Sequence, residues 1–287
     1  MPHPSNHSPS HQFLRHRGAA GPVDGTPDDT AANPMPDETS QVAKTGKSLD
    51  SQKRHLIHPL VADLVRKTFA NARALSIADL GCGDGSSFLD LAHQLAGGQT
   101  ADYPAMAIEW LGFHDNDEAI LRVLERNIQQ AGLPTGTVGI DIQALKTGHY
   151  DLALAQLVLH LILDMAELRE FLSVAHRALK ADGHLFVVNL HPRYLDYHTR
   201  YSQGKLVMTC TDDDWIGEYL FDSNASFGIP IVSRSMEKYQ NILRDCGFAT
   251  FAIQPIYTRA IAASKTRYLD MWNRRIPMFY LMDLVKM

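Results

Sequence analysis

The sequence of 287 residues has few cysteines, no cluster of basic residues and no long apolar run, and each shortage excludes a class of protein. Its three cysteines, Cys82, Cys210 and Cys246, have neither CxxC nor metal-ligand spacing. They predict a reduced, cytoplasmic protein without a metal site. A net charge of −5 without any Lys/Arg block argues against nucleic acid as the partner. Because no apolar run approaches the length of a membrane span, we expect no membrane partner.

The first 48 residues differ from the rest of the chain. They are rich in Pro, Ser, His, Asp and Thr and nearly lack large apolar side chains. Such a segment cannot bury enough apolar surface to offset the entropy lost on ordering, so we predict a disordered tail over residues 1–48. The tail has no apolar h-region, and it therefore does not fit a secretory signal peptide.

From residue 49 onward, helical and strand patterns alternate. Residues 49–73 place leucines at helical spacing and predict an amphipathic helix before the first strand. Strands are predicted at 77–80, 106–113, 138–142, 150–156, 184–190, 248–256 and 259–263, and helices at 118–131, 161–180 and 235–246. Alternation of this kind predicts an α/β fold, with a mostly parallel sheet and helices on both of its faces.

Residues 77–92 carry the main indication of a ligand site. A short apolar strand ends in three glycines at alternate positions, Gly81, Gly83 and Gly85, and a helix follows. Glycine lets the backbone turn sharply and approach a ligand closely. Backbone N–H groups at the start of the helix favour an anionic or polar ligand. A dinucleotide fits poorly, because no third glycine follows at the spacing of G-x-G-x-x-G.

Between residues 192 and 230 the alternation breaks. This segment contains seven aromatic residues, of which Tyr194, Tyr197 and Trp215 are candidates for substrate contacts. It follows the fifth predicted strand at the carboxyl end of the sheet, where ligands bind in open α/β folds. Two interpretations stay open, a packed structural excursion and a lid over the site.

Four short motifs follow one another along the chain: DLGCGDG at 79–85, YDLAL at 150–154, LVLH at 157–160 and ALKADGHL at 178–185. In this order and spacing they resemble class I S-adenosylmethionine-dependent methyltransferases, over roughly residues 73–263. The His-Pro pair at 191–192 and the helix end at 239–248 are similar to a bacterial small-molecule methyltransferase subgroup.

The resemblance implies a Rossmann-like fold, with a seven-stranded, mostly parallel sheet, helices on both faces and one antiparallel edge strand. It implies a methyltransferase domain over residues 49–287, with 49–73 as an N-terminal cap helix and 192–230 as a lid-like insertion. S-adenosyl-L-methionine would be the cofactor and a small molecule the methyl acceptor, through oxygen, nitrogen or carbon. Two alternatives stay open: a methyltransferase acting on RNA or protein, and a non-catalytic cofactor-binding module.

The resemblance assigns the glycine turn to the methionine end of the cofactor. Backbone N–H groups around Gly81, Cys82, Gly83 and Gly85 would meet the methionine carboxylate, because N–H groups at such a turn favour an anion. Asp79, just before the turn, would face the ammonium group, directly or through water. These five residues would therefore hold the amino-acid part of the cofactor.

The remaining cofactor contacts are implied at the ends of the next three strands. An acidic side chain after the second strand would bind the ribose hydroxyls, where Asp115 is favoured and His114 is the alternative. Asp141 after the third strand would accept from the adenine amino group, with Ile142 against the ring. Gln156 ends the fourth strand and would lie beside the cofactor and the transfer site.

Two histidines are candidates for a general base, His160 after the fourth strand and His191 after the fifth. Each has a structural alternative, and proline restricts His191 to extended geometry, so the His-Pro pair also suits a shaping role. A base is not required when the acceptor is an amine or an acidic phenol.

Overall fold

The structure is a computed structural model that describes residues 53–97, 105–134, 136–201, 206–211, 214–220, 228–257 and 276–287. The predicted tail at 1–48 and the predicted strand at 259–263 lie outside the described residues. Within the described ranges, no helix has both the length and the apolar character needed to cross a membrane.

Helices and strands alternate along most of the described chain. A π-helical turn, Lys53–Ile57, leads into helix α1, His58–Thr68, whose first turn contains Pro59, a position where proline is tolerated. The following elements are β1 (Ala74–Leu80), α2 (Ser86–Gly97), β2 (Ala107–His114), α3 (Glu118–Ala131), β3 (Thr137–Gly139), β4 (Tyr150–Gln156), α4 (Met165–Ala178), β5 (Leu179–Leu190), α5 (Pro192–Tyr201), β6 (Leu206–Thr211), β7 (Asp214–Leu220), β8 (Gly228–Ser233), α6 (Met236–Asp245), β9 (Phe248–Ile256) and β10 (Phe279–Lys286).

Seven of these strands form one sheet in the order β3–β2–β1–β4–β5–β10–β9. The pairs among β1 to β5 are parallel, whereas β10 is antiparallel to both β5 and β9. The predicted α/β fold, a seven-stranded and mostly parallel Rossmann-like sheet, is thus confirmed. The reversed strand is the C-terminal segment Phe279–Lys286, which lies one position in from the sheet edge, between β5 and β9.

Two hydrophobic cores cover the two faces of this sheet. On β1, Leu75 and Ile77 enter one core, while Ala78 and Leu80 enter the other. Helices α1, α2 and α3 pack on the first core, and α4 and α6 pack on the second. Since both faces are covered, the central strands are nearly continuous apolar runs. The polar candidate residues lie instead at the carboxyl ends of the strands, the edge where open α/β sheets bind ligands.

Three predicted boundaries move for local reasons. The helix predicted from residue 161 begins at Met165, because the carboxylate of Asp164 accepts two N–H groups of the first turn and caps it. That helix ends at Ala178, because β5 begins directly afterwards, at Leu179 instead of residue 184. The third strand is only three residues long, Thr137–Gly139, since a short 3₁₀ turn follows it.

The segment between β5 and α6 contains helix α5 and a separate three-stranded antiparallel sheet in the order β6–β7–β8. The N–H of Val232 in β8 donates to the carbonyl of His160, at 2.8 Å. His160 lies four residues beyond the end of β4. The small sheet is therefore attached near the carboxyl end of the central strands, on the side of the candidate site.

Candidate active site

The glycine turn lies between the ends of β1 and β2. The N–H groups of Gly81 and Cys82 both donate to the carbonyl of His114, the last residue of β2, at 2.8 and 3.0 Å. Gly81, Gly83 and Gly85 have φ angles between 56° and 76°. Glycine adopts this left-handed region without the steric penalty that other residues meet. The alternate glycines are therefore required by the backbone of the turn itself.

A side chain would meet a different environment at each of these glycines. A Cβ at Gly81 would lie 2.5 Å from a methyl carbon of Val158, and a Cβ at Gly85 would overlap the side chain of Leu124. A Cβ at Gly83 would meet no atom of the described residues within 4 Å. Gly81 and Gly85 thus serve the packing of the protein, whereas Gly83 borders open space that a ligand can fill.

The N–H groups of Gly81, Cys82, Gly83 and Gly85 have partners within the protein, and their contact with a ligand carboxylate stays a prediction. Besides the two that bind the His114 carbonyl, the Gly83 N–H donates to the Asp115 carboxylate at 2.8 Å. The Gly85 N–H donates to the Cys82 carbonyl at 3.1 Å. The physical reason is that the left-handed residues fold the turn back onto the end of β2. What Gly83 offers a ligand is therefore the absence of a side chain.

Asp115 connects the glycine turn to the helix that follows β2. One carboxylate oxygen accepts the Gly83 N–H, and the other accepts the Asp117 N–H at 3.2 Å. Asp117 caps α3 by accepting two N–H groups of its first turn. His114, the alternative for the ribose position, belongs to β2, and burial lowers the pKa of its ring. Of the two candidates, Asp115 is the one whose side chain contacts the turn.

Two buried side chains, Asp79 and Cys82, flank the start of the turn. Asp79 is 2% exposed and Cys82 is 7% exposed. Burial raises the pKa of the Cys82 thiol, and the charges of Asp79 and then Asp115 raise it further. The thiol is therefore protonated and is not a nucleophile. Carboxylates from the ends of β1 and β2 both raise the pKa of this thiol. The negative charge at these strand ends therefore attracts cationic or hydrogen-donating groups.

The other predicted cofactor residues lie at the ends of β3 and β4. The exposed Asp141 accepts the N–H of Gln143 at 2.8 Å, and the half-buried Ile142 packs against the second core. At the end of β4, the amide nitrogen of Gln156 is buried and has no hydrogen-bond partner among the described residues. Leaving a buried donor unpaired costs about 1–3 kcal/mol, so a ligand acceptor at this point would bind favourably.

Leu157, directly after β4, is a feature for which the sequence carries no signal. Its φ is 59°, a left-handed conformation that costs a non-glycine residue about 1–2 kcal/mol. Its N–H donates to the Val188 carbonyl at 2.7 Å, and the next residue, Val158, packs against Gly81. Strained residues persist where their surroundings fix them, and they cluster at functional sites. The start of the segment after β4 is therefore held in place beside the glycine turn.

Several solved structures with a similar fold are methyltransferases. An S-adenosylmethionine-dependent methyltransferase from Mesorhizobium loti has 21% identity and a TM-score of 0.53, over 78% of this chain and 96% of that one. A second, from Clostridium acetobutylicum, has 14% identity and a TM-score of 0.53, over 86% and 99%. A Burkholderia thailandensis 1,6-didemethyltoxoflavin-N1-methyltransferase, with its substrate and S-adenosylhomocysteine bound, has 12% identity and a TM-score of 0.50, over 89% and 92%. At these identities the likeness shows the shared fold.

A family model adds what the structural likeness alone does not give. Residues 78–187, which run from β1 through the glycine turn to β5, match the family described as "Methyltransferase domain". Residues 78–187 therefore carry a methyltransferase domain. The resemblance of the four motifs is thus confirmed, and S-adenosylmethionine is the cofactor of this domain. A search of curated proteins returned no match.

The residues at the strand ends of the methyltransferase domain fit this cofactor. Open space borders Gly83, which lets a ligand approach the backbone. The carboxylates of Asp79 and Asp115 lie at the ends of neighbouring strands, where acceptors for an ammonium group and for hydroxyls are needed. The buried amide of Gln156, unpaired within the described chain, offers a further donor.

His160 is buried in the described structure, which argues against its predicted role as a general base. The residue is 7% exposed, and its ring Nδ1 donates to the amide oxygen of Asn189 at 2.5 Å. Burial lowers the pKa of His160 to about 4, although the Asn189 hydrogen bond opposes the shift. Burial and the Asn189 hydrogen bond favour the structural alternative for His160, and its role as a base stays a prediction.

His191 caps helix α5. Its carbonyl accepts the N–H of Tyr194 at 2.8 Å, and its ring Nδ1 accepts the N–H of Arg193 at 3.1 Å. Burial lowers the pKa of His191, and the charge of Arg193 lowers it further, which favours the neutral ring. With Nδ1 accepting, the neutral ring carries its proton on Nε2 and can only donate there. This geometry supports the shaping role that the His-Pro pair suggested, and not the general base.

The capping role predicts different results for two substitutions. His191→Asn keeps a side-chain acceptor at the helix start, so its free energy of unfolding should lie within about 0.5 kcal/mol of the wild-type value. His191→Ala removes the acceptor and should lower the free energy of unfolding by about 1 kcal/mol. Thermal unfolding measures both, and ¹⁵N NMR of the wild-type ring should show the Nε2–H tautomer. Equal stability of the two variants together with an Nδ1–H ring would contradict the capping role.

The three aromatic candidates for substrate contacts occupy different places. Tyr194 is half-buried in the first turn of α5 and packs against the first core. Tyr197 belongs to the same helix, but its side chain lies outside the described part of the chain. Trp215 is 46% exposed on β7 and pairs with Ser233 of β8. Contact of these residues with substrate stays a prediction.

Proposed function

We propose that this protein transfers the methyl group of S-adenosylmethionine to a small molecule. The observation that carries the proposal is the open space at Gly83, bordered by the Asp115 carboxylate, in the turn that follows the buried Asp79 of β1. When bound, the cofactor supplies a methyl group on a sulfonium, which is a strong electrophile with a neutral leaving group.

In this proposal the end of each strand binds a different part of the cofactor. Asp79 at the end of β1 binds the ammonium group, and Asp115 after β2 accepts from the ribose hydroxyls. Asp141 and Ile142 meet the adenine, and Gln156 donates from the end of β4. The buried setting of Asp79 supports its role, because a carboxylate with little access to water gains most from a cationic partner.

The surface charges favour a small molecule over nucleic acid. Several Lys and Arg residues of the described chain pair with a nearby carboxylate, which reduces the positive charge available to a phosphate backbone. The pairs are Arg54–Asp90, Lys67–Asp63, Arg122–Glu118, Arg169–Asp245, Lys180–Asp151 and Lys238–Asp214. The methyltransferase from Burkholderia thailandensis binds 1,6-didemethyltoxoflavin, a small molecule, on a similar fold, which is consistent with this choice.

The two histidines also restrict the acceptor. His160 is enclosed, and the Nδ1 of His191 is occupied by the Arg193 N–H, so neither is placed to remove a proton. In-line methyl transfer then requires an acceptor that is already nucleophilic. We propose a neutral amine, a ring nitrogen or an acidic phenol that ionises near neutral pH.

The experiment that tests the function uses the full chain with S-adenosylmethionine labelled in its methyl group. It is incubated separately with pools of small metabolites, RNA and protein, and heat-inactivated protein is the control. We expect label in the metabolite pool, together with release of S-adenosylhomocysteine. Label in RNA or protein would overturn the choice of acceptor. Cofactor binding without release in any pool would instead support a non-catalytic binding module.

A further inference from the structure

Arg234, between β8 and α6, is fully buried and lies outside the cofactor site described above. One terminal nitrogen of its guanidinium donates to the carbonyl of Ile162 at 2.9 Å, and the other donates to the carbonyl of Leu163 at 2.6 Å. Two neighbouring carbonyls match the planar fork of an arginine, which a lysine cannot reproduce. The guanidinium therefore fixes the backbone of the segment that joins β4 to α4.

A carboxylate of the small three-stranded sheet forms an ion pair with Arg234. The carboxylate of Asp214, at the start of β7, lies 3.4 Å from the Arg234 Nε, and its other oxygen lies 2.8 Å from the Lys238 Nζ. Burial raises the pKa of the neighbouring Tyr239 hydroxyl, and the Arg234 charge opposes that shift. A buried arginine costs desolvation energy that apolar packing would avoid, so stability alone is a weak reason for its presence.

The segment that Arg234 holds, residues 157–164, also contacts the cofactor turn. At its beginning, Leu157 is held in a left-handed conformation and Val158 packs against Gly81. In its middle, the His160 ring donates to Asn189, and the His160 carbonyl accepts the Val232 N–H from β8. Contacts therefore run without a gap from Asp214 through Arg234 and residues 157–164 to the glycine turn.

We propose that Arg234 is a positioning residue for cofactor binding, acting through residues 157–164 and itself oriented by Asp214. The inference rests on the proposed function, because the position that it sets is that of Val158 against Gly81 and of Gln156 beside the transfer site. It also gives the small sheet a defined task, which is to supply the acid that orients Arg234. An arginine that only stabilised the fold would leave cofactor affinity unchanged in a folded variant.

The test compares Arg234→Gln with Val174→Ala in the full chain, with S-adenosylhomocysteine as the probe. Val174 is buried in the core that α4 covers but lies well beyond residues 157–164. Both variants should have lower melting temperatures. Replacing the guanidinium fork by a shorter amide should weaken S-adenosylhomocysteine binding about tenfold in Arg234→Gln, as measured by calorimetry well below the melting temperature. Hydrogen exchange at residues 157–164 should accelerate in the same variant.

Two further variants keep the proposal falsifiable if Arg234→Gln does not fold. Asp214→Asn leaves the guanidinium in place and should weaken binding about threefold, and Arg169→Gln, which breaks an exposed ion pair, should bind as wild type. Wild-type affinity in a folded Arg234→Gln, or in Asp214→Asn, would overturn the positioning role. Failure of the wild-type chain to bind S-adenosylhomocysteine would instead overturn the proposed function.

Discussion

Gly83→Ala should weaken S-adenosylmethionine binding about 100-fold while the protein still folds. The added methyl group would enter space that no described residue occupies within 4 Å, so the folded protein has room for it. A ligand lying against the Gly83 backbone would collide with the added methyl group, and it would have to move away and lose its contacts. Isothermal calorimetry with S-adenosylmethionine and with S-adenosylhomocysteine measures the loss directly.

Gly148→Ala is the matched control for this prediction. Gly148 has a φ of 61°, close to the 56° of Gly83, and a Cβ there would also meet no described atom within 4 Å. Both variants therefore bear a similar backbone cost, about 1 kcal/mol. Gly148 precedes β4, at the opposite end of the strand from the site. The Gly148→Ala variant should therefore bind the cofactor with wild-type affinity. Equal affinities in the two variants would show that the space at Gly83 is not the cofactor site.

The glycine turn also shows how far the sequence predicts a site. Alternate glycines after an apolar strand predict a tight turn, because few other residues adopt a positive φ. They do not predict which N–H groups remain for a ligand, since that depends on the distant residues His114 and Asp115. The strained conformation of Leu157 cannot be predicted from the sequence for a related reason. It is imposed by neighbouring residues and not by the preference of leucine itself.

The sheet shows the same limit at a larger scale. The strands β1 to β5 follow from local alternation, because each pairs within a unit of strand, helix and strand. The C-terminal strand β10 pairs with β5, whose residues precede it by about 90–100 positions, and no local signal sets that register. The side chain of His160 follows a similar logic, since its enclosure depends on Asn189 in the next strand of the sheet.

Asp115→Ala should also weaken S-adenosylhomocysteine binding about 100-fold, and it should destabilise the glycine turn. The substitution removes the carboxylate that accepts the Gly83 N–H at 2.8 Å, and it removes the acceptor proposed for the ribose hydroxyls. Asp115→Asn separates these two effects. Its amide oxygen can still accept the Gly83 N–H, and only the longer bond from the Asp117 N–H is lost, so thermal stability should fall less than in Asp115→Ala. The lost charge should still weaken binding about tenfold, as calorimetry would measure.

Two neighbouring variants decide whether the effect belongs to Asp115. Asp117→Ala removes the cap of α3 and should cost about 1 kcal/mol in the free energy of unfolding without changing cofactor affinity. His114→Ala removes a ring that belongs to β2 but keeps the carbonyl that holds the turn, so binding should again stay close to wild type. If His114→Ala lost more affinity than Asp115→Ala, the ribose contact would be assigned to His114 instead of Asp115. Similar losses in Asp115→Ala and Asp117→Ala would indicate that the carboxylate acts on the start of α3 and not on the ligand.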